Sequence, residues 1–307
     1  MKELVVISGK GGTGKTSLVA SFGVLADSLV LADCDVDAAD LHLVLEPTIR
    51  HREPFSGGSA ASVQVDQCIA CGKCAELCRF GAISIDGPGN SLVKKTYSVD
   101  PIACEGCGVC AHFCEASAIQ FGPVVNGEWF VSDTRCGPMV HARLDPGAEN
   151  SGKLVSLVRD KARQLAAERK LTGVLIDGSP GVGCPVIASL TGADFALIVA
   201  EPTLSGLHDF GRIADLTRHF NIETFVAVNK WEVNTRIGGD IEEKAAERGI
   251  QSAGRIRYDA AVTQAQFRRL SVVEHTENGV AEDIRKIWAK LAEAMYEDKA
   301  SEQLTVL

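Results

Sequence analysis

The chain has 307 residues, 46% of them hydrophobic, with 31 Lys and Arg against 40 Asp and Glu for a formal net charge of -9. That length can bury one large core, or one core with a small satellite, and the acidic balance excludes a nucleic-acid groove as the organising feature. The opening Met1-Lys2-Glu3 and "LVVIS" lack the apolar core and cleavage site of a signal peptide, and no apolar run reaches the ~20 residues of a bilayer span, so the expected location is cytoplasmic.

In chain order, "ELVVIS" is a short apolar run of the kind a buried parallel strand shows. "GKTSLVASFGVLADS" has helical spacing, and "LVLADCDVD" is a second strand ending in aspartates. "REPFSGGSAAS" is rich in Pro, Gly and Ser and has the composition of a linker. "CIACGKCAELCRFGAISI" and "CEGCGVCAHFCEASAIQF" then align position by position, which predicts two copies of one small fold. "VVNGEWFVSD" follows, with Asn126-Gly127 expected as a hairpin turn.

From Asn150 the alternation resumes: a helix over "NSGKLVSLVRDKARQLAAERK", a strand and loop in "LTGVLIDGSPG", and strands in "FALIVAEP", "TFVAVNK" and "QSAGRIRYD". Strands alternating with helices predict an α/β fold with a mostly parallel, doubly wound sheet. Residues 1–60 and 123–307 should form it, interrupted by an insert over 61–122. The last helix, "VAEDIRKIWAKLAEAMYED", places Ile284, Ile287, Trp288, Leu291 and Met295 on one stripe. A membrane-surface helix would be basic on its polar face. This one ends in Glu297, Asp298 and Glu302, so core packing is expected.

Gly9-Lys10-Gly11-Gly12-Thr13-Gly14-Lys15-Thr16 satisfies G-x-x-x-x-G-K-[ST] between a strand and a helix. The loop through Gly11, Gly12, Thr13, Gly14 and on to Ser17 can turn successive backbone N–H groups onto phosphate oxygens, and the helix start adds its positive end. Lys15 should reach the β- and γ-phosphates and the Thr16 hydroxyl should bind Mg²⁺. Asp177, ending "GVLID", is the natural Walker-B carboxylate for Mg²⁺. Asp35 can orient the attacking water beside the metal; Asp33, Asp37 and Asp40 are alternatives, and Asp33 could equally be a capping acid. Asn229, after "FVAV", can hydrogen-bond an adenine edge. The expected ligands are ATP/ADP and Mg²⁺.

Eleven cysteines occur, eight of them between Cys68 and Cys114. In a reducing compartment this points to metal rather than disulfides. Cys68-x₂-Cys71-x₂-Cys74-x₃-Cys78 and Cys104-x₂-Cys107-x₂-Cys110-x₃-Cys114 have the bacterial ferredoxin spacing, in which the fourth cysteine serves the other cluster. Cys68, Cys71, Cys74 and Cys114 should hold one [4Fe–4S] cluster, and Cys104, Cys107, Cys110 and Cys78 the second. Gly72, Gly106 and Gly108 leave room for backbone N–H groups near the sulfides. Zinc fits this doubled spacing poorly. The usual proline after each fourth cysteine is replaced by Arg79 and Glu115. Arg79 should favour the reduced form of its cluster and Glu115 oppose it, so the two potentials should differ.

The chain resembles the MinD/ParA/nitrogenase-iron-protein group of P-loop ATPases. The resemblance rests on "GKGGTGKT" with its additional Lys10, "DCDVDAAD", "DGSPG", "AEPTLSG" and "VAVNK". More narrowly it is similar to MinD-superfamily ATPases carrying an inserted ferredoxin domain, on the cysteine repeat, "GPMVHARL" and "ENSGKLV". The resemblance implies a nucleotide-dependent homodimer that sandwiches two ATP molecules, with Lys10 reaching the partner's nucleotide. The nitrogenase iron protein has a cluster-ligating cysteine in the region of Cys184, with Cys136 the candidate second ligand here; simple packing is the other reading of Cys184, and Cys34 is expected to pack.

Two functions follow. The first is an ATP-hydrolysing switch that couples nucleotide state to electron transfer or to binding of a redox or assembly partner. The alternative is a MinD/ParA-like positioning ATPase, or an iron–sulfur or metal-centre delivery protein with Cys184 as its handle, in which the clusters are sensory or structural. Neither requires nucleic acid or membrane insertion.

Overall fold

The computed structural model describes residues 1–145, 148 and 151–304, the last eight of these as backbone only. The first two residues of "ENSGKLV" and the acidic side chains of Glu297, Asp298 and Glu302 lie outside the described part. The strands are β1 (Lys2–Ser8), β2 (Leu29–Asp33), β3 (Thr48–Phe55), β4 (Gly58–Val63), β5 (Ile83–Gly87), β6 (Thr96–Val99), β7 (Ile119–Val124), β8 (Gly127–Thr134), β9 (Gly137–Leu144), β10 (Gly173–Pro180), β11 (Phe195–Ala200), β12 (Glu223–Asn229) and β13 (Gln251–Ile256). The helices are α1 (Lys15–Leu25), α2 (Leu41–Leu45), α3 (Lys73–Leu77), α4 (Val109–His112), α5 (Ser151–Glu168), α6 (Cys184–Leu190), α7 (Leu204–His219), α8 (Thr235–Glu247), α9 (Ala261–Phe267), α10 (Val272–His275) and α11 (Val280–Leu304).

Nine strands form one sheet in the order β13-β12-β11-β1-β10-β2-β9-β8-β3. The seven from β13 to β9 pair in parallel. Central strands of such a sheet are covered on both faces and must be apolar throughout. Leu4, Val5, Val6 and Ile7 of β1 are fully buried, as are Leu175 and Ile176 of β10. The register sets Val6 opposite Asp177 and Asp177 opposite Asp33, so two carboxylates end neighbouring strands side by side.

The stripe on α11 is core: Ile284, Ile287, Leu291 and Met295 are each 1% exposed, and Trp288 lies 5.3 Å from the Phe22 ring of α1. Burying one such side chain contributes about 1.5–3 kcal/mol. Caps fix the helix starts that face the strand ends. The Thr203 hydroxyl accepts from the Gly206 N–H at α7, and the Asn234 side chain from the Ile237 N–H at α8. At the opposite end of β1, Glu3 is buried between Arg159 and Arg163 of α5, an ion cluster hidden within a run that looks apolar.

The chain divides into two compact units. The first comprises residues 1–53, 129–143 and 151–307, and the second 54–128 and 144–150. The second begins and ends a few residues outside the 61–122 expected for the insert. It contains two two-stranded antiparallel sheets, β4-β7 and β5-β6, and the short helices α3 and α4.

Two local expectations are corrected. The supposed linker "REPFSGGSAAS" holds the second half of β3 and most of β4. β3 is an edge strand with seven of its eight residues exposed, so its polar composition concealed it. Asn126-Gly127 does not join a hairpin, because β7 pairs with β4 while β8 lies in the large sheet. Asn126 instead ties three segments: its N–H donates to Phe55 O, its side-chain oxygen accepts from Gly57 N–H, and its carbonyl accepts from Asp145 N–H. The short turn is at Arg135-Cys136, between β8 and β9, where Gly137 takes φ of 118°.

Candidate functional site

The loop from Ser8 to Thr16 leaves the C-terminal end of β1 and runs into α1. Gly14 caps that helix at φ 92°, a backbone conformation that side chains disfavour. A methyl group there would also come within 2.6 Å of the Asn229 amide nitrogen. With no side-chain cap, the first-turn N–H groups of α1 remain available to an anion. At the loop's start, a methyl at Gly9 would come within 2.2 Å of Asp209 Cβ, so α7 packs directly on the backbone.

Lys15 is 5% exposed, and its Nζ lies 3.7 Å from Asp35 Oδ2. Asp177 is fully buried beside the Thr16 hydroxyl, and neither of its carboxylate oxygens makes a close hydrogen bond; the Thr13 hydroxyl is likewise buried without one. A buried polar atom left unpaired costs about 1–3 kcal/mol, more for a charged group. These orphans therefore suit a site completed by a ligand. Burial pushes the Asp177 carboxyl up to about 6 against the pull of Lys15. Burial also raises Asp35 to about 6, with Lys15 opposing and Asp37 and Asp40 assisting. The donor set of Thr16, Asp177 and Asp35, all oxygen, suits a hard divalent cation such as Mg²⁺.

Asp33 has a different use. Its carboxylate oxygens accept from the Asp35 and Leu41 N–H groups at 3.2 and 3.3 Å, tying the strand end to α2. Burial and the neighbouring Asp177 raise its pKa well above the ordinary value. Cys34 is fully buried; its N–H donates to Asp177 O and its carbonyl accepts from the Ser179 hydroxyl, so it packs and knits the ends of β2 and β10.

The Asn229 amide nitrogen donates to Thr13 O at 2.7 Å, which uses one of its two hydrogens. The Ser17 hydroxyl accepts from the Gln266 amide at 3.0 Å. Lys10 forms an ion pair with Glu201 at 3.0 Å, and the other Glu201 oxygen holds Lys230 at 2.6 Å. Burial would raise the Glu201 carboxyl, but Lys230 and Lys10 outweigh it and hold it below its ordinary value. Glu201, Lys230 and Gln266 escaped the sequence reading. Only "AEPTLSG" and "VAVNK", already singled out, carried a hint of the first two.

Cys184 is exposed at the start of α6 and lies against Gly152. Cys136 does not accompany it: Gly137 beside it packs on Leu29, at the N-terminal edge of the sheet, whereas Cys184 follows the C-terminal end of β10. Cys136 packs near Gly23, and burial pushes its thiol up to about 11.

In the second unit, Cys68, Cys71, Cys74 and Cys114 line one hollow, and Cys78, Cys104, Cys107 and Cys110 another. Each encloses about 360 Å³ of free space, part of it open to solvent. Among the described residues no three His, Cys, Asp or Glu side chains converge closely enough for a single ion. The thiols surround a space instead. Gly106, at φ 60°, backs onto Ser59 of β4, where a methyl would fall 2.1 Å from the carbonyl oxygen.

Comparison with known proteins agrees with the first unit's geometry. The CobQ/CobB/MinD/ParA nucleotide binding domain matches residues 4–272. The chain belongs to this family. An uncharacterized protein of Methanocaldococcus jannaschii is 34% identical over 242 residues, 76% of this chain and 79% of its own length. Among solved structures, the septum site-determining protein MinD of Pyrococcus horikoshii, complexed with Mg-ADP, superposes with a TM-score of 0.55 at 14% identity over 96% of this chain and 97% of that one. MinD in the MinC:MinD cell division complex of Aquifex aeolicus gives 0.56 at 17%, over 95% and 96%. The family assignment rests on the domain match, and the structural likenesses establish an α/β P-loop fold. No described helix is long and apolar enough to cross a membrane.

Proposed function

We propose that this chain is an ATP-binding and ATP-hydrolysing switch of the MinD/ParA type whose second unit holds two [4Fe–4S] clusters. The observation that carries the nucleotide half is the convergence of Lys15 with three buried oxygens of Thr13 and Asp177 that make no close hydrogen bond, at the start of α1. Lys15 and the α1 N-terminus neutralise the phosphates; Thr16 and Asp177 hold Mg²⁺; Asp35 positions water for in-line attack. That a P. horikoshii MinD of similar fold is complexed with Mg-ADP supports the choice of ligand. Anaerobically purified protein should bind Mg-ADP by calorimetry and hydrolyse ATP; failure of Lys15-intact protein to bind either nucleotide would refute this half.

The chemistry of the second unit supports the cluster half. Four thiols around each hollow match the ligand count of a cube, and the sequence spacing matches two-cluster ferredoxins. Bound clusters would supply one-electron chemistry. Iron and acid-labile sulfide near eight atoms each per chain would support this assignment, and their absence from oxygen-free preparations would end it.

The switch works as a nucleotide-dependent homodimer in which Lys10 leaves Glu201 to serve the partner's nucleotide, and dimerisation presents a surface to another protein. The A. aeolicus relative in complex with MinC supports partner binding as the output. Gated electron delivery is the second reading, favoured by the two cysteine-lined hollows and by the position of the second unit in sequence between Asp35 and Asp177. A nucleotide-dependent shift in cluster potential selects the redox output; partner capture without such a shift selects the first.

A further inference from the structure

The two cysteine runs align residue for residue, so their hollows can be compared position by position. After the first cysteine stands Ile69 in one copy and Glu105 in the other, and each lines its own hollow. Before the third cysteine stands Lys73 in one and Val109 in the other, and these too line their hollows. An aromatic ring covers the glycine after each second cysteine. A methyl at Gly72 would come within 3.1 Å of the Tyr97 hydroxyl, whereas one at Gly108 would come within 3.3 Å of the Phe121 ring, which has no hydroxyl.

Three differences thus share one sign. Lys73 and Tyr97 belong to the first hollow's lining, the Lys73 ammonium being bound to Glu115; Glu105 belongs to the second's lining, which has no cation and no tyrosine. A cluster's potential follows local charge, hydrogen bonds to its sulfurs and solvent access, and the reduced form carries one more negative charge. We propose that the two hollows are electrostatically unequal and that the cluster held by Cys68, Cys71, Cys74 and Cys114 is reduced at the higher potential. The inference rests on the two-cluster reading above.

It reverses the order suggested by Arg79 and Glu115 alone. Neither of those residues lines a hollow, and Glu115 is 77% exposed and bound to Lys73 at 2.9 Å. Of that pair, only Lys73 lines a hollow, and it does so by its apolar stem while its ammonium is bound to Glu115. Arg79 and Glu105 are both exposed to solvent, but only Glu105 belongs to a hollow's lining, next to the Cys104 thiol.

The test is an anaerobic potentiometric titration of the full chain, followed by electron paramagnetic resonance, with iron and sulfide counted in every variant. The unaltered chain should show two separate one-electron steps. Glu105→Ile, which copies the first hollow into the second, should raise the lower step and leave the upper in place. Lys73→Val and the nearly isosteric Tyr97→Phe should lower the upper step alone. Coincident steps, or a Glu105→Ile effect confined to the upper step, would overturn the assignment while leaving the clusters in place. Protein without iron would remove the cluster reading and this inference with it.

Discussion

The phosphate loop and the cysteine unit are both sites, but they are held together differently. Around Lys15 the groups come from distant segments, namely the loop after β1, the ends of β2 and β10, and Asn229 at the end of β12. A nine-stranded sheet with fully buried strands fixes each of them. The eight cysteines come from two short runs, and the helices within those runs, carrying Cys74 and Cys110, have only five and four residues. The buried apolar side chains described in that unit are few, among them Phe55, Ala61, Ala82, Ile83, Ala118 and Leu144. A core of that size is thin for the length of chain it holds. The first site is therefore preorganised, whereas the proposed clusters would supply much of the second unit's cohesion.

The sharpest way to break this comparison is to remove the metal. Chelation under reducing conditions should strip amide protection from residues 54–128, read by hydrogen exchange, while the α/β unit keeps its protection and still binds Mg-ADP. Cooperative loss of both units, or of neither, would erase the contrast. Next in size is Lys15→Met. Losing one preorganised donor on developing charge costs about 10²–10³-fold in rate, so ATP turnover should fall by that factor while the iron content is unchanged.

The same contrast explains what could be read from the amino acids. Features local in sequence were legible: the Gly9–Thr16 loop between β1 and α1, the grouping of the cysteines about two hollows, and the α11 stripe with its buried Ile284, Leu291 and Met295. Features that exist only through long-range pairing were not. Glu201 acquires its role from Lys10 and Lys230, which arrive on different loops. The polar edge strand β3 takes its identity from a neighbour rather than from periodicity. Asn126 has turn chemistry, but its partners Phe55, Gly57 and Asp145 lie far along the chain.

A smaller effect separates the sites by pH. With its pKa raised to about 6, the Asp177 carboxyl keeps its proton in the folded chain after the unfolded chain has lost it, near 4. Its contribution to the stability of the ligand-free chain is therefore full below about pH 4 and declines as pH rises to about 6. Mg²⁺ requires the ionised form, so Mg-ADP affinity should run the other way. Titration calorimetry should find it rising about tenfold per pH unit below 6 and levelling above 7. Asp177→Asn should flatten that slope, and a slope that persists would assign the proton to Asp35 instead.

The gentlest perturbation concerns Glu201. In the proposed homodimer its ion pair with Lys10 must open before Lys10 can serve the second nucleotide, so the pair would oppose dimer formation within each chain. Lys10 is 37% exposed, which places the pair near the ordinary surface range of ~0.2–1 kcal/mol. Both chains of the dimer open one such pair, so Glu201→Gln should lower the protein concentration at half-maximal ATP turnover by about 2- to 30-fold. Because Glu201 also holds Lys230, which approaches the Gly12 carbonyl at 3.4 Å, Lys230→Gln is the necessary control. If both variants shift the concentration dependence equally, the effect belongs to the loop's shape. If Glu201→Gln acts alone, and Lys10→Ala removes its effect, then Glu201 restrains dimerisation through its hold on Lys10.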